Sequence, residues 1–366
     1  MCVHLFGAAS SPGCANFGLK QIASDYEGEF GSDIANFVRR DFYVDDGLTS
    51  LPSDKEAMSL ISRCTEMLKK GGLRLHKFLS NSKSLLQHVA PEDRAKGFTD
   101  IDLLTDNLPL ERALGVQWSI ESDCFQFRIT LSDKPFTRRG ILATVNSVYD
   151  PLGFISPVVL VGKQILQSLC SDQVDWDSPI PDTLRSKWER WRSELAGLRN
   201  LEVKRCFKPE DFGTVVVTEL HHFSDACVHG YGQCSYLRLV NDKQQVHCSL
   251  VIAKSRVAPL KIITIPRLEL TTAVVSVKVS SLLQRELDLN NAVDYYWTDS
   301  KVVLGYIAND SRRFHVYVAN RVQQIHNHSD VSKWNYVNTK ENPADMASRG
   351  VSVSSLVNSA TWFFWS

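Results

Sequence analysis

The sequence lacks an excess of charge of either sign, since its 366 residues carry 41 Lys and Arg against 41 Asp and Glu. No strong overall field marks it as a nucleic-acid or membrane-surface binder, so any such function must depend on local clusters. None of the nine cysteines forms a Cys-x-x-Cys pair, which argues against a zinc site and a disulfide framework. No uninterrupted apolar run reaches about 18 residues, so no membrane span is expected.

The amino terminus "MCVHLFGAAS" lacks the basic lead of a signal peptide. Together with the unpaired cysteines, this predicts an intracellular protein, cytoplasmic or nuclear, that is neither secreted nor bound to a membrane. The length predicts two or three domains, each with its own core. We find no internal repeat and no low-complexity segment.

Residues 1–130 predict short strands around one clear helix. Ser53 and Glu56 form a capping box at the helix start, and Gly71 follows its last apolar position. Apolar residues then alternate with polar ones in "LGVQWSIESDCFQFRI", which predicts two strands joined by a polar turn.

Residues 131–210 predict helices. Asp182 is placed to cap one helix, whose apolar stripe runs from Leu184 through Trp188 and Trp191 to Leu198 and is typical of a packing face. From about residue 211 the pattern changes to three strands, a helix, a strand and further helix. This order predicts an α+β domain with a mixed sheet.

Four acids fall on successive predicted elements, at a strand end or near a helix start: Asp225, Glu269, Asp299 and Asp345. Taken singly, each such acid most often caps a turn or complements a helix dipole. Together they form a compact negative cluster that repels itself unless cations neutralise it. Two Mg²⁺ ions about 4 Å apart would do so, and would activate water for phosphodiester cleavage. Mn²⁺ suits the same oxygen ligands.

A second acidic feature, Asp45 and Asp46 in "DFYVDDGLTS", ends an apolar run. In isolation the pattern is typical of a hairpin whose Asp-Gly turn carries two solvated carboxylates.

The strings "FSDACVHGYG", "AKSRVAPLKIITIPRLEL", "WTDSKVVLGYI" and "ENPADMASRG" resemble the ribonuclease H portion of BEL/Pao long-terminal-repeat retrotransposon polyproteins. "TRRGILATVNSVYDPLGFISPVVLVGKQIL" and "VDWDSPIPDTLRSKWERW" resemble the thumb and connection of the same elements. The resemblance implies that the four acids bind two Mg²⁺ and cleave the RNA strand of an RNA–DNA hybrid. It also implies recognition of hybrid shape and 2′-hydroxyls.

Phosphate contacts are expected from basic residues around the third strand and the following helix, above all Lys254, Arg256 and Arg267. The alternative is a solvated helix face. Many ribonucleases H carry a histidine in the loop before the last acid. Residues 337–341 hold none, which implies lower turnover unless another group substitutes.

The amino-terminal half resembles part of a reverse-transcriptase palm. Gly7, Ser11 and Pro12 match a Gly-x-x-x-Ser-Pro segment that lies beneath the templating base pair, and Tyr43-Val-Asp-Asp46 matches the metal-binding turn. Lys77 and Leu114-Gly115 match positions near the incoming triphosphate and the primer end. The further metal-binding Asp that such enzymes need does not precede Gly7. The resemblance therefore implies a truncated palm that does not polymerise alone.

The predicted organisation is a truncated palm over 1–130, a helical thumb and connection over 131–210, an RNase H-like domain over 211–350 and a tail before a missing integrase over 351–366. No Asp-Thr/Ser-Gly triplet supports an aspartic protease. Other parts of a Pol polyprotein are expected partners. Three hypotheses stay open: a ribonuclease H, a binding module without turnover, and a decayed element copy.

Overall fold

The computed structural model describes residues 9–95, 110–113, 116–289, 291–309 and 313–365. They divide between two compact units, 1–124 and 125–366. Within the described ranges, the helices are all too short or too polar to cross a membrane. The predicted division into four segments is a finer one, and it stays a prediction.

The first unit is largely helical. Its core combines Leu19, Ile34, Phe37, Met67 and Leu68 from three helices. Its elements are α1 (Ser11–Asp25), α2 (Glu27–Phe30), α3 (Ser32–Arg40), β1 (Phe42–Tyr43), β2 (Asp46–Gly47), α4 (Asp54–Lys70), α5 (Lys83–Gln87), β3 (Leu110–Ala113) and β4 (Val116–Ser119), with β5 (Cys124–Gln126) at the boundary.

The capping box predicted for α4 is present. The Ser53 hydroxyl accepts the Glu56 amide at 3.3 Å and donates to the Glu56 carboxylate at 3.1 Å. The expectation of a single clear helix in this half is wrong, because α1, α2 and α3 precede α4. Two glycines lie within α1, and α2 and α3 are short helices. Both features weaken the helical periodicity of the apolar residues. The buried side of α1, Leu19 and Ala23, is defined only by packing.

Helices dominate residues 131–210, as predicted. Trp188 and Trp191 stack with ring centroids 5.0 Å apart inside the core of the second unit. Asp182 lies in the first turn of its helix, and Pro181 takes the cap position. The elements are α6 (Arg138–Ser147), α7 (Ser156–Ser171), α8 (Asp182–Glu194) and β6 (Glu202–Lys204).

A five-stranded mixed sheet follows, in the order β11-β10-β7-β8-β9. The three predicted strands β7, β8 and β9 form an antiparallel meander, and β10 runs parallel to both β7 and β11. This confirms the α+β class with flanking helices. The elements are β7 (Val215–Ala226), β8 (Gly230–Asn241), β9 (Val246–Val257), α9 (Ile265–Glu286), β10 (Val293–Thr298), α10 (Lys301–Ile307), α11 (Val316–His326), β11 (Trp334–Tyr336), α12 (Ala344–Arg349), α13 (Val353–Val357) and α14 (Ala360–Phe363).

Successive side chains of the sheet face opposite layers. Phe223 and Tyr236 pack with α7, α8 and α12 on one face, while Leu220 and Leu237 pack with α9 on the other. Trp362 of α14 is fully buried against the first face, and its backbone carbonyl accepts a hydrogen bond from the Tyr236 hydroxyl at 2.8 Å. Residues 353–363 are therefore part of this core.

Candidate active site

Asp225 lies near the end of β7, on the same face as Phe223, and is only 5% exposed. Burial raises the pKa of its carboxyl to about 6, and the charges of Asp299 and Asp345 add to the rise. A hydrogen bond donated by the Ser348 hydroxyl acts in the opposite direction. Asp225 is thus a buried acid whose neighbours are also acidic.

Glu269 lies one turn into α9, a helix with Pro266 in its first turn. Burial raises the pKa of its carboxyl, and the charge of Asp299 raises it further. Asp299, directly after β10, therefore affects both Asp225 and Glu269. The parallel pairing of β10 with β7 explains this position, because it brings the carboxyl ends of the two strands to one edge of the sheet.

Asp345 lies in the first turn of α12 and forms an ion pair with Arg349 one turn later. This pair raises the pKa of the Arg349 guanidinium, to which Asp225 also contributes. The structure therefore places the fourth predicted acid beside the first, although 120 residues separate them in the chain.

Three hydroxyl groups, which the sequence analysis did not single out, each hold one oxygen of an acid. Ser348 donates to Asp225, Ser300 donates to Glu269 at 2.7 Å, and Thr339 donates to Asp299 at 2.7 Å. Such contacts fix the orientation of a carboxylate and leave its second oxygen for another partner. The available signal was proximity, since Ser300 follows Asp299 directly and Ser348 lies one turn after Asp345.

Two glycines allow α12 to approach the sheet. A Cβ on Gly232 would lie 2.5 Å from the Ala347 Cβ, and one on Gly230 would lie 2.5 Å from the Ser348 carbonyl oxygen. Both distances are far below van der Waals contact. The "HGYG" string thus lets α12 place Asp345 and Ser348 against Asp225.

The donor set suits a hard divalent cation, because all four candidate ligands are carboxylates. One oxygen of Asp299, Oδ1, is buried and has no hydrogen-bond partner among the described residues. Over the same residues, no three acidic, imidazole or thiol side chains converge as the ligands of one metal ion would. The acids are therefore near enough to influence one another's ionisation without forming a closed coordination shell.

The loop before Asp345 approaches the site through Thr339, and no histidine lies in it. His326 contacts the Ile307 carbonyl at 2.8 Å, and His328 contacts the Gln324 carbonyl at 2.8 Å. Both histidines are thus held at the end of α11. The lower turnover implied by the missing loop histidine stays a prediction.

The predicted phosphate-binding residues lie on two elements. Lys254 and Arg256 are on β9, half-buried and exposed respectively, and the exposed Arg267 is at the start of α9. The Arg267 guanidinium lies 5.2 Å from the centroid of the Tyr317 ring. Their role in nucleic-acid binding stays a prediction.

In the first unit, the β1–β2 hairpin places Asp45 in its turn and Asp46 at the start of β2, and both are exposed. Ser11 and Pro12 begin α1, and Lys77 is exposed with a positive φ of 64°. Gly7 and Leu114-Gly115 lie outside the described residues. The palm roles of these residues stay predictions.

Residues 137–300 match the family model described as the Pao retrotransposon-like RNaseH-like domain. The comparison with curated proteins gives no match.

Among solved structures, the N-terminal RNase H domain of a Mycobacterium tuberculosis protein, fused to maltose binding protein, is 11% identical. That match covers 36% of this chain and 91% of that one, with a TM-score of 0.25. RNase H1 from the archaeon Halobacterium salinarum NRC-1 is 10% identical. That match covers 36% of this chain and 92% of that one, with a TM-score of 0.25. The foamy viral protease-reverse transcriptase in complex with dsDNA is 13% identical. That match covers 92% of this chain and 60% of that one, with a TM-score of 0.22.

The family match extends from α6 through the meander and α9 to just after β10, and so contains Asp225, Glu269 and Asp299. Asp345 and the first unit lie outside it. Over residues 137–300, this match confirms the resemblance to BEL/Pao elements found in the sequence.

Proposed function

We propose that the second unit cleaves the RNA strand of an RNA–DNA hybrid with the help of two divalent cations. The observation that carries this proposal is the position of Asp299. Its charge raises the pKa of both Asp225 and Glu269, while its own Oδ1 is buried with no hydrogen-bond partner among the described residues. A buried carboxylate oxygen without a donor is costly, and a cation would compensate for it.

Asp225, Glu269, Asp299 and Asp345 would hold the cations. Two bound Mg²⁺ or Mn²⁺ ions would supply an activated water and stabilise the leaving oxygen of the phosphodiester. Ser348, Ser300 and Thr339 keep one oxygen of their acids occupied, so that the second oxygen stays oriented for a ligand. Arg349 offsets the charge of Asp345 at the edge of the site.

Hybrid binding would rest on contacts with the sugar-phosphate backbone of the nucleic acid. Lys254, Arg256 and Arg267 are the proposed phosphate contacts, and the RNA strand would be distinguished by its 2′-hydroxyls and by the shape of the helix. No base-specific recognition is required for this activity. The nucleic acid is therefore expected to bind in a salt-dependent manner with little sequence preference.

The test is cleavage of an end-labelled RNA–DNA hybrid by the full chain, with Mg²⁺ and with excess EDTA. We expect RNA cleavage only with the cation, and loss of cleavage in Asp299→Asn. Glu286→Gln is the matched control, because Glu286 is an exposed acid at the far end of α9. Equal cleavage by wild type and Asp299→Asn would refute the proposal. Salt-sensitive hybrid binding without any cleavage would support the alternative of a non-catalytic binding module.

For the first unit, we propose that Asp45 and Asp46 do not support DNA synthesis by this chain alone. Within the described residues, they do not lie with a third side chain that could complete a metal site. Other parts of a Pol polyprotein would have to supply it. Primer extension on an RNA template by the isolated chain would contradict this proposal.

A further inference from the structure

A solvent-facing aromatic and a cation lie together beside the candidate active site. Tyr336, the last residue of β11, is 48% exposed although it belongs to the sheet. The ammonium group of Lys301, itself exposed, lies 5.2 Å from the centroid of the Tyr336 ring. We call these two side chains the Lys301–Tyr336 surface.

The backbone fixes this surface next to Asp299. Tyr336 pairs in parallel register with Thr298, which directly precedes Asp299. From strand spacing and rise, the Tyr336 backbone lies within about 6 Å of the Asp299 backbone. Lys301 begins α10, two residues after Asp299. Both residues therefore lie close to Asp299 along the backbone.

Within the part of the chain that the structure describes, the polar groups of this surface have no ion-pair or hydrogen-bond partner. Lys301 forms no ion pair with any of these residues, and the Tyr336 hydroxyl forms no hydrogen bond with them. The surface is available to a ligand that carries negative charge and a flat or apolar face.

The same sheet offers an internal comparison. Lys333 lies 4.9 Å from the centroid of the Tyr295 ring, which forms a second lysine–tyrosine pair. Tyr295 is four residues before Asp299, about 13 Å along the strand, and its ring also stacks on His221 at 5.1 Å. This second pair has the same chemistry but is remote from the acids.

We propose that the Lys301–Tyr336 surface binds the nucleic-acid strand next to the scissile phosphate. Lys301 contacts a flanking phosphate, and the Tyr336 ring stacks on the adjacent base or sugar. Cations and exposed aromatic rings are the two groups that bind single strands and strand ends without reading sequence. A nucleic-acid strand fits this surface better than a protein segment does. A strand with one phosphate beside the acids would also place the next phosphates near Lys301. The inference rests on the proposed function.

The experiment measures binding of a fluorescein-labelled RNA–DNA hybrid by anisotropy, in an Asp225→Asn background that does not cleave. Adding Tyr336→Ala should weaken binding by about 5- to 150-fold, the range found for loss of one stacked base. Tyr336→Phe keeps the ring and should bind within about twofold of the background protein. Thermal unfolding of each variant checks that the sheet is intact.

The contribution of Lys301 is measured by the salt dependence of hybrid binding in Lys301→Ala. Between about 50 and 200 mM salt, it should reduce the slope of log Kd against log salt by nearly one, as expected for one lost phosphate contact. Lys333→Ala is the matched control and should leave the slope unchanged. A 2-aminopurine placed next to the scissile position should be quenched on binding by the Asp225→Asn protein and not when Tyr336→Ala is added.

The outcomes separate this inference from the proposed function. If Tyr336→Ala and Lys301→Ala bind hybrid as the background does, the inference is overturned, while wild-type cleavage that fails in Asp299→Asn still supports the ribonuclease. If wild type binds hybrid without cleaving it, the proposed function fails, and the Tyr336→Ala result still decides this surface. Equal weakening by Lys333→Ala and Lys301→Ala would also overturn the inference, since position relative to the acids would then not matter.

Discussion

The chain contains two groups of candidate metal-binding acids, and their surroundings differ. Asp45 and Asp46 lie in a two-strand hairpin of the first unit, and both are exposed. Asp225 and Glu269 of the second unit are buried or half-buried, accept hydrogen bonds from serines, and have raised pKa values. The same type of side chain is thus solvated in one unit and part of a buried, mutually repelling cluster in the other.

The comparison shows that the sheet, more than the acids, creates the candidate site. A carboxylate in water costs little, so the hairpin pair needs no partner. A carboxylate beside other carboxylates in a buried setting is destabilising unless a proton or a cation neutralises it. We therefore expect the two groups to respond differently to the same substitution.

The largest expected difference is in hybrid cleavage. Asp225→Asn should lower the rate of Mg²⁺-dependent cleavage by at least about 10³-fold, because loss of a metal ligand removes several kcal/mol of transition-state stabilisation. Asp45→Asn and Asp46→Asn should leave the rate within about twofold. Single-turnover cleavage of a labelled hybrid measures all three. A comparable loss in Asp45→Asn would mean that the two groups are not functionally distinct.

The second difference is in stability, because Asp225→Asn should stabilise the second unit. The pKa of Asp225 is raised to about 6 from 3.8, chiefly by burial, so between these values the folded state binds more protons than the unfolded state. Stability of the second unit therefore falls as the pH rises through this window. At pH 7 in EDTA, the neutral Asn should raise the free energy of unfolding by about 2–3 kcal/mol.

The control for this stability effect is the pH itself. Below about pH 3, the Asp225 carboxyl is protonated in both the folded and the unfolded state, and the advantage of Asn should disappear. Asp45→Asn should change stability by less than about 0.5 kcal/mol at any pH, as expected for an exposed site. Urea unfolding monitored by tryptophan fluorescence gives both values. A destabilised Asp225→Asn at pH 7 in EDTA would contradict the electrostatic account.

Much of the second unit could be predicted from the sequence because its signals are local. The alternation of β7 to β9 and the Pro266 start of α9 are visible within a few residues, and motif strings place Asp225 and Asp299 at strand ends. The hydroxyl donors were not predictable in the same way. Ser348 matters only because α12 packs against β7 and β8, far away in sequence.

The first unit was predicted less well for the same physical reason. The capping box of α4 is a local signal and was found, whereas α1 buries only Leu19 and Ala23 and carries glycines inside the helix. Its amphipathic pattern is too weak to identify before its partners α3 and α4 are known. Local capping was therefore more informative than periodicity in this unit.

A third comparison uses one substitution, glycine to alanine, in the two units. Gly232→Ala should destabilise the second unit by about 1–3 kcal/mol, because its Cβ would lie 2.5 Å from the Ala347 Cβ and would displace α12. Gly18→Ala, in the middle of α1 with open space at its Cβ position, should stabilise the first unit by about 0.5–1 kcal/mol. Denaturant unfolding of each variant measures both. Hybrid cleavage should fall only in Gly232→Ala, and a stabilised Gly232→Ala would show that α12 has room to move.

The smallest expected effect compares two serines with the same local chemistry. Ser53 accepts the amide three residues ahead and donates to Glu56 of its own helix. Ser300 likewise accepts the Val303 amide at 3.2 Å but donates to Glu269 of another helix. Replacing either serine by Ala should cost about 1 kcal/mol of stability, the usual value of a helix cap.

Only Ser300→Ala should also affect the candidate site. Loss of its hydroxyl releases one oxygen of Glu269, so the Mg²⁺ concentration for half-maximal cleavage should rise by about tenfold, as found for other groups that orient metal ligands. Ser300→Thr keeps the hydroxyl and should restore most of the metal dependence. The thermal shift produced by Mg²⁺ gives a readout independent of activity, and it should shrink in Ser300→Ala but not in Ser53→Ala. An unchanged shift in Ser300→Ala would mean that this hydroxyl serves α10 alone.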